Sequence, residues 1–217
     1  MKRHSFSQVS LYLLTLAVAI YFFLVMSGVF LDWVDLWSLL AGGLMVFLIL
    51  ALRADPLFSQ LIYGDFREKT WRALGLGISS ALLLYVLFFA GNIFLRNLFP
   101  ASGEHLASIY NLKFGSNQLR ISLFLALIIG PGEELLWRGW LQRHWSAALG
   151  PMGGWLGVSL LYGLVHLPSR NPVLILAALV CGLWWGFQYH KFNSLLSNVV
   201  SHALWDLVVF IILPFSR

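Results

Sequence analysis

Charge is scarce in this sequence. Lys, Arg, Asp and Glu make up 11% of its 217 residues, where a soluble domain carries about 25%. So few charges cannot cover the surface of a soluble domain of this length. The hydrophobic fraction of 59% and the mean hydropathy of +0.81 exclude a disordered chain as well. There is one cysteine, Cys181, in an apolar run. No intrachain disulfide can form, and a cysteine metal cage is excluded. The sequence contains no Gly-x-Ser-x-Gly, no His-Glu-x-x-His, no internal repeat and no low-complexity segment. The net charge of +5 fits Lys and Arg held in cytoplasmic loops of a membrane protein, with no nucleic-acid partner.

What fills the chain is apolar runs. Leu11–Leu31 is free of charge and long enough for a bilayer, which takes about 20 residues. Lys2 and Arg3 precede it, but it is too long for a signal-peptide core and ends in Phe30-Leu31-Asp32-Trp33, so it reads as an uncleaved anchor. Leu36–Leu52, Ala73–Leu95, Ser146–Val165 and Asn171–Tyr189 are also uncharged. Ile121–Trp137 meets Glu133 and Glu134, and Leu195–Leu213 is broken by His202 and Asp206. These two spans are expected to face the bundle interior. The fold predicted is an all-α polytopic membrane protein, a bundle of about seven transmembrane helices forming one membrane domain over 1–217. Arg53–Arg72 is expected along the membrane surface, and Arg96–Leu119 as an exposed loop. Alternating the loops from a cytoplasmic N-terminus places nine Lys and Arg inside, Arg138 among them, and five outside. This predicts N-terminus in and C-terminus out.

Three polar groups interrupt the apolar pattern. Glu133 and Glu134 are followed by Arg138, which shares a face with Glu134 at i,i+4. Glu133 points about 100° away from Glu134 on an α-helix. Pro131 and Gly132 can kink the helix just before the pair. Tyr162 and His166 share a second face. Asn198, His202 and Asp206 form a polar stripe on a third, where Asp206 can accept from His202 and fix its ring. Taken singly, each group has a plain reading: an interfacial salt bridge with Arg138 reaching for the headgroups, a buried histidine, a helix-packing stripe. Together they supply what water-based peptide hydrolysis needs. A carboxylate takes the water proton, and histidines hold the water or donate to the oxyanion. Glu133, His166 and His202 also have the composition of a His₂Glu zinc site.

Glu-Glu-x-x-x-Arg, then aromatic-x-x-x-His, then His-x-x-x-Asp, in that order, resembles the CAAX protease and bacteriocin-processing (Abi) family of intramembrane endopeptidases. The resemblance covers about Ile121 to Leu213, so 121–213 is expected to be the catalytic core. It implies Glu133 as the base that activates water, with Glu134 supporting the site beside Arg138. It also implies His166 holding the water, His202 stabilising the oxyanion and Asp206 supporting His202 or the substrate. Tyr162 stands where many members have Phe. Asp206, where eukaryotic members have Asn, is similar to bacterial members, which implies a bacterial cytoplasmic membrane. The resemblance implies a peptide or protein substrate met at the lipid bilayer and no obligatory cofactor, with zinc as the alternative. A non-catalytic immunity or scaffold protein of the same fold is the competing function. A proton-relay transporter would need polar residues along a through-path and two matched broken helices, and neither is present.

Overall fold

The computed structural model describes residues 8–68, 70–113 and 115–215. Lys2, Arg3, Lys69 and Arg217, which enter the topology count, lie outside the described residues. The described residues are helical, with no strand among them. In chain order the helices are α1 (Gln8–Met26), α2 (Leu36–Ala54), α3 (Pro56–Glu68), α4 (Thr70–Leu98), α5 (Ser102–Asn111), α6 (118–149), α7 (151–164), α8 (Pro172–Phe192) and α9 (Leu195–Ile212). Every predicted apolar stretch carries a helix. Four of them, α2, α4, α8 and α9, are long and apolar enough to cross a membrane. The apolar part of α1, Leu11–Met26, is shorter. The protein is an all-α polytopic membrane protein.

Local chemistry starts and stops these helices. Asp35 caps α2 by accepting from Ser38 N at 3.2 Å, and Asn171 caps α8 by accepting from Val173 N and Leu174 N, with Pro172 as its first residue. Ser194 caps α9, and Asp65 of α3 accepts from Leu196 N at 2.7 Å, tying α3 to that helix start. α6 and α7 are separated at Gly150, whose φ of 79° lies in the left-handed region, followed by Pro151.

Two departures from regular helix shape α6. Leu125–Ile129 and Glu134–Gln142 take the wider π form, with Gly130 N bonding back to Leu125 O and Arg143 N to Arg138 O. Pro131 has no N–H to give, so the ladder around it must open, and π turns are frequent at functional sites. α9 also ends in a π turn, where Leu213 N donates to Val208 O at 2.7 Å.

The core lies where α6 and α9 meet α1, α2, α4 and α8. Phe22 of α1 meets Trp137 of α6 edge-on, with ring centroids 5.4 Å apart. A Cβ on Gly77 of α4 would come within 2.7 Å of Ser197 O on α9. A Cβ on Gly130 of α6 would sit 3.1 Å from Ala203 N and Cα on α9. Glycine at these two positions lets the backbones approach closely.

Two sequence expectations are corrected. The segment Arg96–Leu119 contains α5, whose Leu106, Ile109 and Tyr110 are buried. Its Leu106 and Ile109 repeat at helical spacing, and a short amphipathic helix can bury one face inside an otherwise polar stretch. Arg138 does not reach for an interface. It is 1% exposed and lies inside the bundle. Removing it from the loop charges leaves eight Lys and Arg on the N-terminal side against five.

Candidate active site

The two adjacent glutamates serve different neighbours. Glu134 is fully buried and its carboxylate is saturated. Its Oε1 accepts from Arg138 Nη1 and from His202 Nδ1, both at 2.8 Å. Its Oε2 accepts from Asn198 Nδ2 at 2.9 Å. Arg138 continues to Gly182 O at 3.2 Å, and Asn198 to Trp185 O at 2.7 Å, so the cluster binds α6, α8 and α9 together. Glu133 turns toward α7, where Tyr162 OH donates to its Oε2 at 2.5 Å.

A cavity of about 1110 Å³ opens beside Glu133. Glu133, Tyr162, His166, His202 and Asp206 line it. Glu134, Arg138 and Asn198 stand behind that wall. The rest of the lining is mainly apolar and comes from α1, α2, α4, α5, α6, α8, α9 and Phe215. Its rim includes Gly28, Leu112 and Arg170, which lie in the turns after α1, α5 and α7. All three turns are at the end of the bundle opposite Arg53, Arg143 and Lys191. Asn171 Nδ2 donates to His105 O at 2.7 Å and Ser108 Oγ at 2.9 Å, fastening the α7–α8 turn to α5.

Both histidines have an assigned nitrogen. His166 Nδ1 lies 2.7 Å from Tyr162 O, and a carbonyl can only accept, so Nδ1 carries the proton. In the neutral ring Nε2 is then an acceptor. His202 Nδ1 likewise faces a carboxylate, that of Glu134. The sequence reading gave that orienting part to Asp206. In the fold Asp206 Oδ2 stands 3.6 Å from His202 Nε2, at ion-pair range but beyond a direct hydrogen bond. The correction has a simple origin: an i,i+4 neighbour on the same helix is visible in sequence, while a carboxylate supplied by another helix is not.

Residues 151–164 rise about 21 Å at about 1.5 Å per residue, short of a bilayer core of about 30 Å. The late start after Gly150 and the early end before Val165 bring Tyr162 and His166 to Glu133 inside the bundle. The short 3-10 turn Leu167–Ser169 that follows packs against α1 and α8.

The donor chemistry of a zinc site is partly present. Each histidine has Nδ1 engaged by an oxygen acceptor, as metal-bound imidazoles do. Among the described residues, however, no three His, Cys, Asp or Glu side chains are gathered closely enough to hold a metal ion. Tyr162 engages Glu133, and Asp206 faces His202 Nε2.

One feature of the site had no signal in the sequence. Trp185 of α8 stacks on the His202 ring. It sits in the uncharged run Asn171–Tyr189, where an aromatic reads as core. Gln142, whose Nε2 donates to Gly186 O at 2.8 Å, adds a second tie between α6 and α8 one turn beyond Arg138.

No curated protein and no solved structure matches the chain. Residues 115–208 match the family model described as Type II CAAX prenyl endopeptidase Rce1-like. That stretch holds Glu133, Glu134, Arg138, Tyr162, His166, Asn198, His202 and Asp206, the side chains brought together around the cavity and behind it. Over residues 115–208 the chain is similar to the Rce1-like CAAX protease family.

Proposed function

We propose that this protein is an intramembrane endopeptidase that hydrolyses a peptide bond in a membrane-associated or tail-tagged protein or peptide, using water activated by Glu133. The observation that carries the reading is the division of the glutamates. Glu133 faces a large apolar-walled cavity with Tyr162 on its Oε2, while Glu134 is held by Arg138, Asn198 and His202.

The steps follow from the donors and acceptors. A water between Glu133 and His166 donates one proton to the Glu133 carboxylate and the other to His166 Nε2 as a hydrogen bond. Its oxygen adds to the scissile carbonyl. With carboxylates at both ring nitrogens, His202 can hold a proton on each, and Nε2–H donates to the oxyanion. Protonated Glu133 then gives its proton to the leaving amine as the C–N bond breaks. Glu134 and Arg138 fix His202 and hold α6 against α8 and α9. The ungathered donor set favours a reaction with no resident metal.

The eight-to-five distribution of Lys and Arg supports a cytoplasmic N-terminus, and Asp206 in place of Asn supports a bacterial inner membrane. The rim of the cavity, on the opposite end, then faces the outer side. The partners expected are lipid and a peptide or protein substrate, with no nucleic acid.

The test uses purified full-length protein in detergent and an internally quenched peptide, with and without a farnesyl group on a cysteine near its C-terminus. Cleavage of either peptide by the wild type, lost in Glu133→Gln at unchanged folded yield, is the expected result. Equal cleavage by Glu133→Gln, or no cleavage of any peptide by the wild type, overturns the reading.

A further inference from the structure

We propose that Trp185 is a positioning residue for His202: its indole fixes the plane of the imidazole, so that Nδ1 meets Glu134 and Nε2 is held toward the cavity and Asp206. The inference rests on the reading of His202 as the oxyanion donor.

The imidazole and the indole are stacked, with centroids 3.7 Å apart and planes 20° from parallel. This is contact distance over a full ring face. A histidine's outer torsion is intrinsically broad, with no strongly preferred angle. The hydrogen bond from Nδ1 to Glu134 fixes one atom of the ring and leaves rotation about that contact. The indole face removes that rotation. The two constraints together leave Nε2 one direction.

The indole is itself held on several sides. It is 1% exposed. Its Nε1 donates to Ser201 Oγ at 3.0 Å, on the residue next to His202. Ser201 Oγ in turn donates to Ser80 Oγ of α4 at 3.0 Å, and Trp184 Nε1 donates to the same Ser80 Oγ at 2.8 Å. Trp205 meets Trp185 edge-on at 5.8 Å and 83°. The Arg138 guanidinium lies 5.7 Å from the ring centroid. Trp185 also reaches Glu134 through its backbone, because its carbonyl accepts from the Asn198 amide that donates to Glu134 Oε2. Thus α4, α6 and α9 all set the indole, and the indole sets the histidine. A side chain that only filled space would need neither the parallel stack nor the ladder of hydroxyls behind it.

The test compares wild type with Trp185→Phe, Trp185→Leu and Ser201→Ala, all full length in detergent. The first readout needs no substrate. With ¹³C-labelled histidine, the His202 ring protons, assigned by their absence in His202→Ala, are expected upfield of the other histidines from the indole ring current. The displacement should be partly kept in Trp185→Phe, reduced in Ser201→Ala and lost in Trp185→Leu. The second readout is the cleavage of the quenched farnesylated peptide. Small misplacement of a catalytic group can cost about 10²-fold. Trp185→Leu is expected to lose about 10- to 100-fold in kcat with KM within about twofold, and Trp185→Phe to stay within about threefold. An unshifted His202 signal in the wild type overturns the proposal, as does a fall in kcat that is equal in Phe and Leu and follows thermal stability. If Leu does not fold, the Phe and Ser201→Ala spectra decide. If the peptide is not cleaved by the wild type, the function fails while the spectra still judge the stack.

Discussion

The carboxylates of Glu133 and Glu134 leave neighbouring residues of one helix and end in different environments, the first against the Tyr162 hydroxyl and the cavity, the second in the grip of Arg138, Asn198 and His202. Their variants should therefore fail in different ways. Glu133→Gln keeps the shape and removes the base, which costs about 10²–10⁴ in rate, with thermal midpoint near wild type. Glu134→Ala leaves Arg138 buried without its partner, at a cost of about 3–5 kcal/mol. Glu134→Ala with Arg138→Ala should regain part of the lost stability. Thermal melts and peptide cleavage of the three variants check this. A stable, inactive Glu134→Ala beside an active Glu133→Gln would exchange the two roles.

Asp206 stands 3.6 Å from His202 Nε2 while Glu134 holds Nδ1. An acceptor oxygen at that place is expected to suffice. Asp206→Asn should keep substantial cleavage, and Asp206→Leu should lose it, measured on one peptide at equal folded protein. If Asn is as damaging as Leu, the negative charge itself is required.

Chelation should leave cleavage largely unchanged, because Glu133 is assigned the proton from water. Purified active protein treated with a strong chelator, dialysed and assayed with and without added zinc checks the point. Stoichiometric zinc in the active preparation, with loss on chelation and recovery on zinc addition, would make Glu133, His166 and His202 ligands.

A phosphatase fused after Arg217 should be active and one fused after Arg72 inactive, since the basic loops are assigned to the cytoplasm. The reverse pattern would turn the rim of the cavity to the cytoplasm.

Asp35, in the turn before α2, gives a pH prediction. Partial burial pushes its carboxyl up, but the hydrogen bonds from Ser38 and the Arg120 guanidinium outweigh this and hold it below its ordinary value. A group lowered in the folded state contributes stability above its unfolded value of about 3.9 and loses it as pH falls through the folded value. Asp35→Asn keeps the helix cap and removes the charge. The gap in thermal midpoint between wild type and Asp35→Asn should be larger at pH 7 than at pH 3, and small throughout because the pair is partly in solvent.

The residues that could be read in advance are those whose partners lie close in sequence. The apolar stretches gave the helices, and Glu134 with Arg138 gave the pair at i,i+4. Tyr162 with His166 gave the pair at the end of α7, with His166 two residues past its last helical residue. Three things were hidden. The partner of His202 Nδ1 comes from another helix. Trp185 carries no polar mark that separates it from its apolar neighbours. The π turns around Pro131 depend on how the ladder relaxes once its N–H is missing, which local propensity does not specify. Arg138 looked like a loop cation because its run of neighbours ends near a span boundary, and only packing shows it inside.

Gly130 lies one turn before Glu134, and its close neighbour Ala203 adjoins His202. The reach from glutamate to histidine is thus gauged by a hydrogen atom. A methyl group at 130 would act as a wedge between α6 and α9 directly beneath that contact. The separation it forced would be felt first by the shortest link above it, the 2.8 Å bond between Glu134 and His202.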